Sequence, residues 1–150
     1  MREILTSILC LSLLMGCKNE HGHNDNNAVS SVEIYPMDTL QLKFDKGEKW
    51  LANFETQLGV EKIDSIISVF KTKTIQDYKT LGEKLSKQTS YIIKNCTMKG
   101  EPHEQLHVVL VPMLDQISIL KESKDLPKLE QAKSNLEVLI DKYMDYFKYE

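Results

Sequence analysis

The chain has 150 residues, of which 41% are hydrophobic and 27% charged, and its 22 acidic and 19 basic residues give a net charge of −3. This length suits one small domain rather than several. The lysines are spread singly along the chain and form no basic face, which argues against a nucleic-acid-binding protein.

The first 16 residues have the pattern of a signal peptide. Arg2 is followed by an apolar run, residues 8–15, that is too short to span a bilayer. The run ends in LMGC, residues 14–17, which resembles the lipobox of bacterial lipoproteins, where small residues precede a cysteine that receives lipid after cleavage. The resemblance implies that residues 1–16 are removed and that lipid on Cys17 holds the protein to a membrane of the bacterial cell envelope. We expect this to be the outer membrane.

Two segments are predicted between the lipid and the folded domain. Residues 17–31 are rich in Asn, His and Ser and poor in large apolar side chains, which predicts a flexible tether. Residues 32–56 are predicted to be an extended lead-in. Within it, Leu40, Leu42 and Phe44 alternate with polar residues, a pattern that is typical of a half-buried strand.

The second half of the lead-in carries a turn signal and the only tryptophan. The sequence DKGEK, residues 45–49, contains an aspartate and a glycine that suit a turn. A single strand of this length is not stable alone, so we expect the lead-in to lie against the domain. Trp50 is predicted to seal it there, because a large aromatic ring is stabilised by burial.

Residues 57–150 carry helical periodicity, with apolar residues three and four positions apart. The predicted helices span 57–71, 75–97, 102–122 and 126–147. Thr74 and Asp77 suit a capping box at the start of the second helix. Gly100 is expected to end that helix, and Pro102 to lie in the first turn of the third. Short loops between amphipathic helices predict an all-α fold, an up-down-up-down four-helix bundle.

The stretch CTMKGEPHEQLH, residues 96–107, concentrates sulfur and imidazole side chains. Cys96 falls at the end of the second predicted helix. His103 and His107 lie four positions apart in the third, and therefore on one face. Thiolate and thioether ligands favour Cu(I), and imidazole binds copper, zinc and haem iron. The predicted ligands of a soft metal ion, copper in preference to zinc or haem, are Cys96, Met98, His103 and His107.

The longer pattern resembles a known group of proteins. Trp50, Asn53 and Thr56, followed by CTMKGEPHEQLHVVLVP, are similar to a pattern in small, largely uncharacterised envelope proteins of Gram-negative bacteria, over roughly residues 40–148. The resemblance implies a helical bundle that follows a lipid anchor in the sequence, and it does not indicate a biochemical activity. The arrangement is also similar to the four-helix cytochromes, but the Cys-x-x-Cys-His motif for haem attachment is missing.

Three functions follow from these patterns. The first is a non-enzymatic, membrane-anchored bundle that binds copper for buffering, sensing or delivery. The second is a structural or interaction module that docks another envelope protein, with the Cys96–His107 stretch as a packed corner. The third is a zinc hydrolase, because His103, Glu104 and His107 fit His-Glu-x-x-His, but no histidine follows them as a third ligand. An enzyme is the least favoured class.

Overall fold

The computed structural model describes residues 40–149, which fold as an all-α, up-down-up-down four-helix bundle. The helices are α1 (Phe54–Val69), α2 (Ile75–Asn95), α3 (Glu101–Glu122) and α4 (Leu126–Tyr146), and two short strands are β1 (Trp50–Leu51) and β2 (Phe147–Lys148). Each helix packs against the next, and α1 also contacts α4. The predicted fold class is therefore confirmed. The predicted signal peptide, Cys17, the tether and the start of the lead-in lie outside the described residues.

The ends of the helices show which of the predicted capping residues start or end a helix. The first helix begins three residues earlier than predicted, because the carbonyl of Asn53 already accepts the backbone N–H groups of Thr56 and Gln57, both at 3.1 Å. The predicted capping box at Thr74 and Asp77 is present. The prediction that Gly100 ends the second helix is wrong. That helix ends at Asn95, and Gly100 is the N-cap of α3, with a φ of 66° that favours glycine.

One hydrophobic core fills the space between the four helices. Its fully buried side chains come from every helix and include Ile63, Leu85, Leu106, Met113, Leu136 and Tyr143. The helices α1 and α2 approach closely at Gly59, where an added Cβ would overlap Ile92. Within residues 40–149, none of the helices has the length and apolarity needed to cross a membrane.

The lead-in lies against the bundle without forming the predicted strand over residues 40–44. Among residues 40–149, no strand lies beside this segment, and the backbone N–H of Lys43 instead donates to Oε1 of Gln105 in α3 at 2.7 Å. Leu40 and Leu42 are half-buried against the core, as their alternation predicted. Phe44 is more exposed and stacks on Tyr146, with 4.4 Å between ring centroids.

The turn and the tryptophan are placed as predicted. Asp45 and Glu48 exchange two backbone hydrogen bonds of 2.9 Å around a turn in which Lys46 and Gly47 have φ values of 51° and 95°. Trp50 is 6% exposed, and its Nε1 donates to the carbonyl of Lys43 at 2.6 Å. The indole therefore seals the lead-in against the bundle.

The lead-in and the C-terminus meet in a two-stranded parallel sheet. Trp50 pairs with Phe147, and Leu51 pairs with Lys148. The first pair is buried and the second is exposed. Because the helices alternate in direction, the start of α1, the end of α2, the start of α3 and the end of α4 lie at this same end of the bundle. We call it the lead-in end.

Candidate metal-binding hairpin between α2 and α3

The connection between α2 and α3 brings Cys96 and His103 together at the lead-in end. Cys96 is the C-cap of α2, and its extended backbone (φ −67°, ψ 118°) turns the chain out of the helix. His103 lies in the first turn of α3. Sγ of Cys96 and Nδ1 of His103 are 3.6 Å apart, and both residues are half-buried. The prediction that these two residues meet across the turn is therefore confirmed.

A sulfur–nitrogen distance of 3.6 Å suits two kinds of contact. It is within the range of a hydrogen bond between a thiol and an imidazole. It also equals the edge of a coordination tetrahedron. A metal ion about 2.3 Å from sulfur and about 2.05 Å from nitrogen would form an angle of about 110° between them. The separation of the two atoms is therefore compatible with shared coordination of one metal ion.

The other two predicted ligands, His107 and Met98, lie in different surroundings. The rings of His103 and His107 lie 4.3 Å apart, tilted by 58°, as expected one turn apart on a helix. His107 is exposed. Within residues 40–149, no three His, Cys, Asp or Glu side chains converge on a point that could hold a metal ion. Met98 is half-buried and, like Cys96, packs against the hydrophobic core.

A hydrogen-bond network from α1 holds the backbone next to Cys96. Nδ2 of Asn53 donates to the carbonyl of Asn95 at 3.1 Å, and Oδ1 of Asn53 accepts the hydroxyl of Thr56 at 2.6 Å. Thr56 is fully buried. The side chain of Asn95 donates to the carbonyl of Tyr91 at 2.8 Å, which ties the residue back to α2. The start of α1 therefore fixes the point at which the chain leaves α2.

A buried tyrosine of α4, Tyr143, lies near Cys96. The buried hydroxyl of Tyr143 donates to Oε1 of Gln57 at 3.1 Å, and its ring stacks on Phe147 with 4.9 Å between centroids. Burial raises the pKa of Tyr143 above its ordinary value of 10, and the nearby Glu61 and Cys96 add to the effect. Cys96 therefore lies close to a tyrosine that stays neutral.

The sequence did not reveal the residues that support the hairpin. Asn53 and Thr56 carried only a resemblance, although Asn is one of the residue types preferred at the N-cap, which is the position of Asn53. Gln105 gave no signal of its own, because its partner is the backbone of the distant lead-in.

Comparison of the chain with known protein families, with curated proteins and with solved structures finds no match. What the protein does must therefore be inferred from its own side chains. Of the four predicted ligands, Cys96 and His103 contact each other, His107 contacts only the ring of His103 among them, and Met98 lies in the connection between α2 and α3.

Proposed function

We propose that this protein is a lipoprotein of the bacterial cell envelope that binds Cu(I) at the α2–α3 hairpin. Acyl chains on Cys17 would hold it to the outer membrane. The observation that supports copper binding is the 3.6 Å contact between Sγ of Cys96 and Nδ1 of His103. Copper buffering or delivery is a role that such a bundle performs without catalysing a reaction.

Each ligand has a stated role in this proposal. Cys96 is the anionic thiolate ligand, and His103 is a neutral imidazole ligand through Nδ1. Met98 supplies a thioether from the connection between them. His107 is exposed, and it reaches the metal ion by rotation of its side chain from its place beside His103. An exposed fourth ligand suits a site that exchanges its ion.

The donor set favours copper over zinc and haem. A thiolate and a thioether are soft ligands, which select Cu(I), whereas structural zinc sites use four Cys or His ligands. His103 lies in the first turn of α3, and the forms of these two side chains that bind a metal ion are the thiolate and the neutral imidazole. Haem would find one exposed imidazole here, His107, and the chain lacks the Cys-x-x-Cys-His motif that attaches haem.

The test is a competition titration of the mature chain with Cu(I) under reducing conditions, against a chromophoric chelator. We expect one equivalent of tightly bound Cu(I). Cys96→Ser or His103→Ala should weaken binding by more than the roughly 10- to 100-fold typical of losing a supporting residue. Met98→Leu should weaken it less, and Met144→Leu, at a half-buried methionine of α4, is the matched control that should leave it unchanged.

The same titration separates the alternatives. Unchanged Cu(I) affinity in Cys96→Ser would refute the proposal. Zinc binding that survives Cys96→Ser, together with a hydrolytic activity lost in Glu104→Gln, would instead favour a zinc hydrolase. A chain that binds no copper, zinc or haem would make the hairpin a packed corner and would turn attention to a protein partner in the envelope.

A further inference from the structure

Three exposed apolar side chains lie in or beside the two-stranded sheet. Leu51, Phe54 and Tyr149 are 49%, 51% and 51% exposed. Leu51 pairs with Lys148, and the rings of Phe54 and Tyr149 lie 5.4 Å apart, so two neighbouring pairs join the chain around β1 to the chain around β2. We call these four residues the aromatic patch.

The position of the patch relative to Cys17 points to what covers it. The described chain begins at residue 40 at the lead-in end, where the lead-in contacts α3 and α4. Residues 18–39, 22 in number, separate this point from Cys17. Whatever their arrangement, they span at most about 80 Å. A lipid on Cys17 would therefore confine the folded domain to within about 80 Å of the membrane surface, attached at the end that carries the patch, at a high effective concentration.

We infer that the aromatic patch contacts the headgroup region of the bilayer that carries the lipid of Cys17. This inference rests on the lipid anchor of the proposed function. Aromatic side chains with an apolar body and a polar tip favour the interface between water and lipid, and Tyr149 is of this kind. Nζ of Lys148 lies 3.9 Å from Oε2 of the exposed Glu48, and this exposed ion pair is weak enough for Lys148 to turn its charged end to phosphate while its methylene groups lie along the apolar side chains.

This contact would orient the whole bundle. The α2–α3 hairpin lies at the same end as the aromatic patch, so Cys96 and His103 would face the membrane rather than the surrounding solution. A copper ion would then be exchanged next to the bilayer. The opposite end of the bundle, with the α1–α2 and α3–α4 loops, would point away from it.

The experiment measures partitioning onto vesicles of phosphatidylethanolamine and phosphatidylglycerol. It uses the mature chain with Cys17→Ser, so that only the folded protein can bind. The patch variant is Leu51→Ser, Phe54→Ser and Tyr149→Ser combined. The matched control is Val69→Ser, Ile75→Ser and Val111→Ser combined, at residues 75%, 41% and 49% exposed and outside the patch. We expect the partition coefficient to fall about tenfold or more in the patch variant and to stay within about twofold in the control.

A second measurement does not depend on any variant. Trp50 is the only tryptophan and lies in β1, beside Leu51. Vesicles with bromine on the acyl chains near the headgroup should quench its fluorescence, and absence of quenching would overturn the inference. Equal loss of binding in the patch variant and the control would also overturn it, as would a dimer that forms through the patch without vesicles.

Failure of the anchor can be told apart from failure of the patch. The intact mass of the protein isolated from membranes reports whether Cys17 is acylated. An unmodified Cys17 with patch-dependent vesicle binding would refute the anchor and keep the patch as a membrane contact. An acylated Cys17 with no effect of the patch variant would refute the patch alone.

Discussion

Replacing Asn53 by alanine removes the side chain that joins the start of α1 to the end of α2. The Asn53 side chain makes three hydrogen bonds; one, from Nδ2 to Oε2 of Glu55 at 2.7 Å, is local to the start of α1, and the other two carry the effect. The first is the 3.1 Å hydrogen bond to the carbonyl of Asn95, and the second is the 2.6 Å hydrogen bond from the hydroxyl of Thr56. Asn53 makes no side-chain capping bond to the backbone of α1, so no separate capping loss is expected.

The size of the effect follows from burial. A lost hydrogen bond costs about 1 kcal/mol, and a buried hydroxyl left without a partner costs about 1–3 kcal/mol. Thr56 is fully buried, so the second cost applies to it. We therefore expect Asn53→Ala to lower the free energy of unfolding by about 2–4 kcal/mol. For a domain of this size, each kcal/mol lowers Tm by about 4 °C, so the total shift is about 8–16 °C.

Urea unfolding followed by the fluorescence of Trp50 measures this loss, and a double-mutant cycle with Thr56→Val tests its cause. Valine has no hydroxyl to leave unpaired, so the double variant should lose about 1–3 kcal/mol less than the sum of the single variants. Amide hydrogen exchange should also quicken over residues 96–100, next to the lost bond. Additive effects, or a loss below about 1 kcal/mol, would refute the account of the network.

Three further predictions concern packing and pH. Gly59→Ala should destabilise the fold by about 1–3 kcal/mol, because its methyl group would meet the buried Ile92; an unchanged Tm would contradict this. Folding raises the pKa of Tyr143, so the neutral hydroxyl contributes stability below the unfolded pKa of about 10, and this contribution is lost as the pH rises above that value. Tyr143→Phe should therefore lose less stability than the parent protein above about pH 10, and urea midpoints measured across this range test it. The pKa of Asp77 is lowered below 3.8, first by the side-chain hydrogen bond from Thr74 and then by the backbone N–H groups of Thr74 and Lys73. The Asp77 carboxylate therefore stabilises the fold above about pH 4, and this stabilisation is lost in acid. Below that pH, the urea midpoint of Asp77→Asn should decline less steeply than that of the parent protein.

The helices could be predicted because their signals are local. Apolar periodicity located all four, and the Thr74–Asp77 pair marked the start of α2 to the residue. The end of α2 was misplaced because Gly100 gives the same signal whether it ends one helix or caps the next. The two-residue strands went unpredicted, since a strand that short has no period and its partner lies at the other end of the chain.

The candidate site could be predicted only in part, for a related reason. Helical spacing placed His103 beside His107, and the hairpin brought Cys96 to His103. The spacing did not reveal that His107 is exposed, because exposure depends on how α3 is rotated against its neighbours. The contact of Tyr143 with Gln57 joins the last helix to the first, which no local pattern records.

The pairing of β1 with β2 has a consequence for how the molecule is made. Trp50 and Phe147 are 97 positions apart (147 − 50), so this pairing closes almost the entire domain. The helical hairpins need only neighbouring sequence and can form one at a time as the chain emerges. The backbone of β1 has no strand to pair with until residues 147–148 have been synthesised. A variant that lacks residues 147–149 would retain the sequence of all four helices and lose the partner of β1, so the sheet depends on a short segment that follows the last helix.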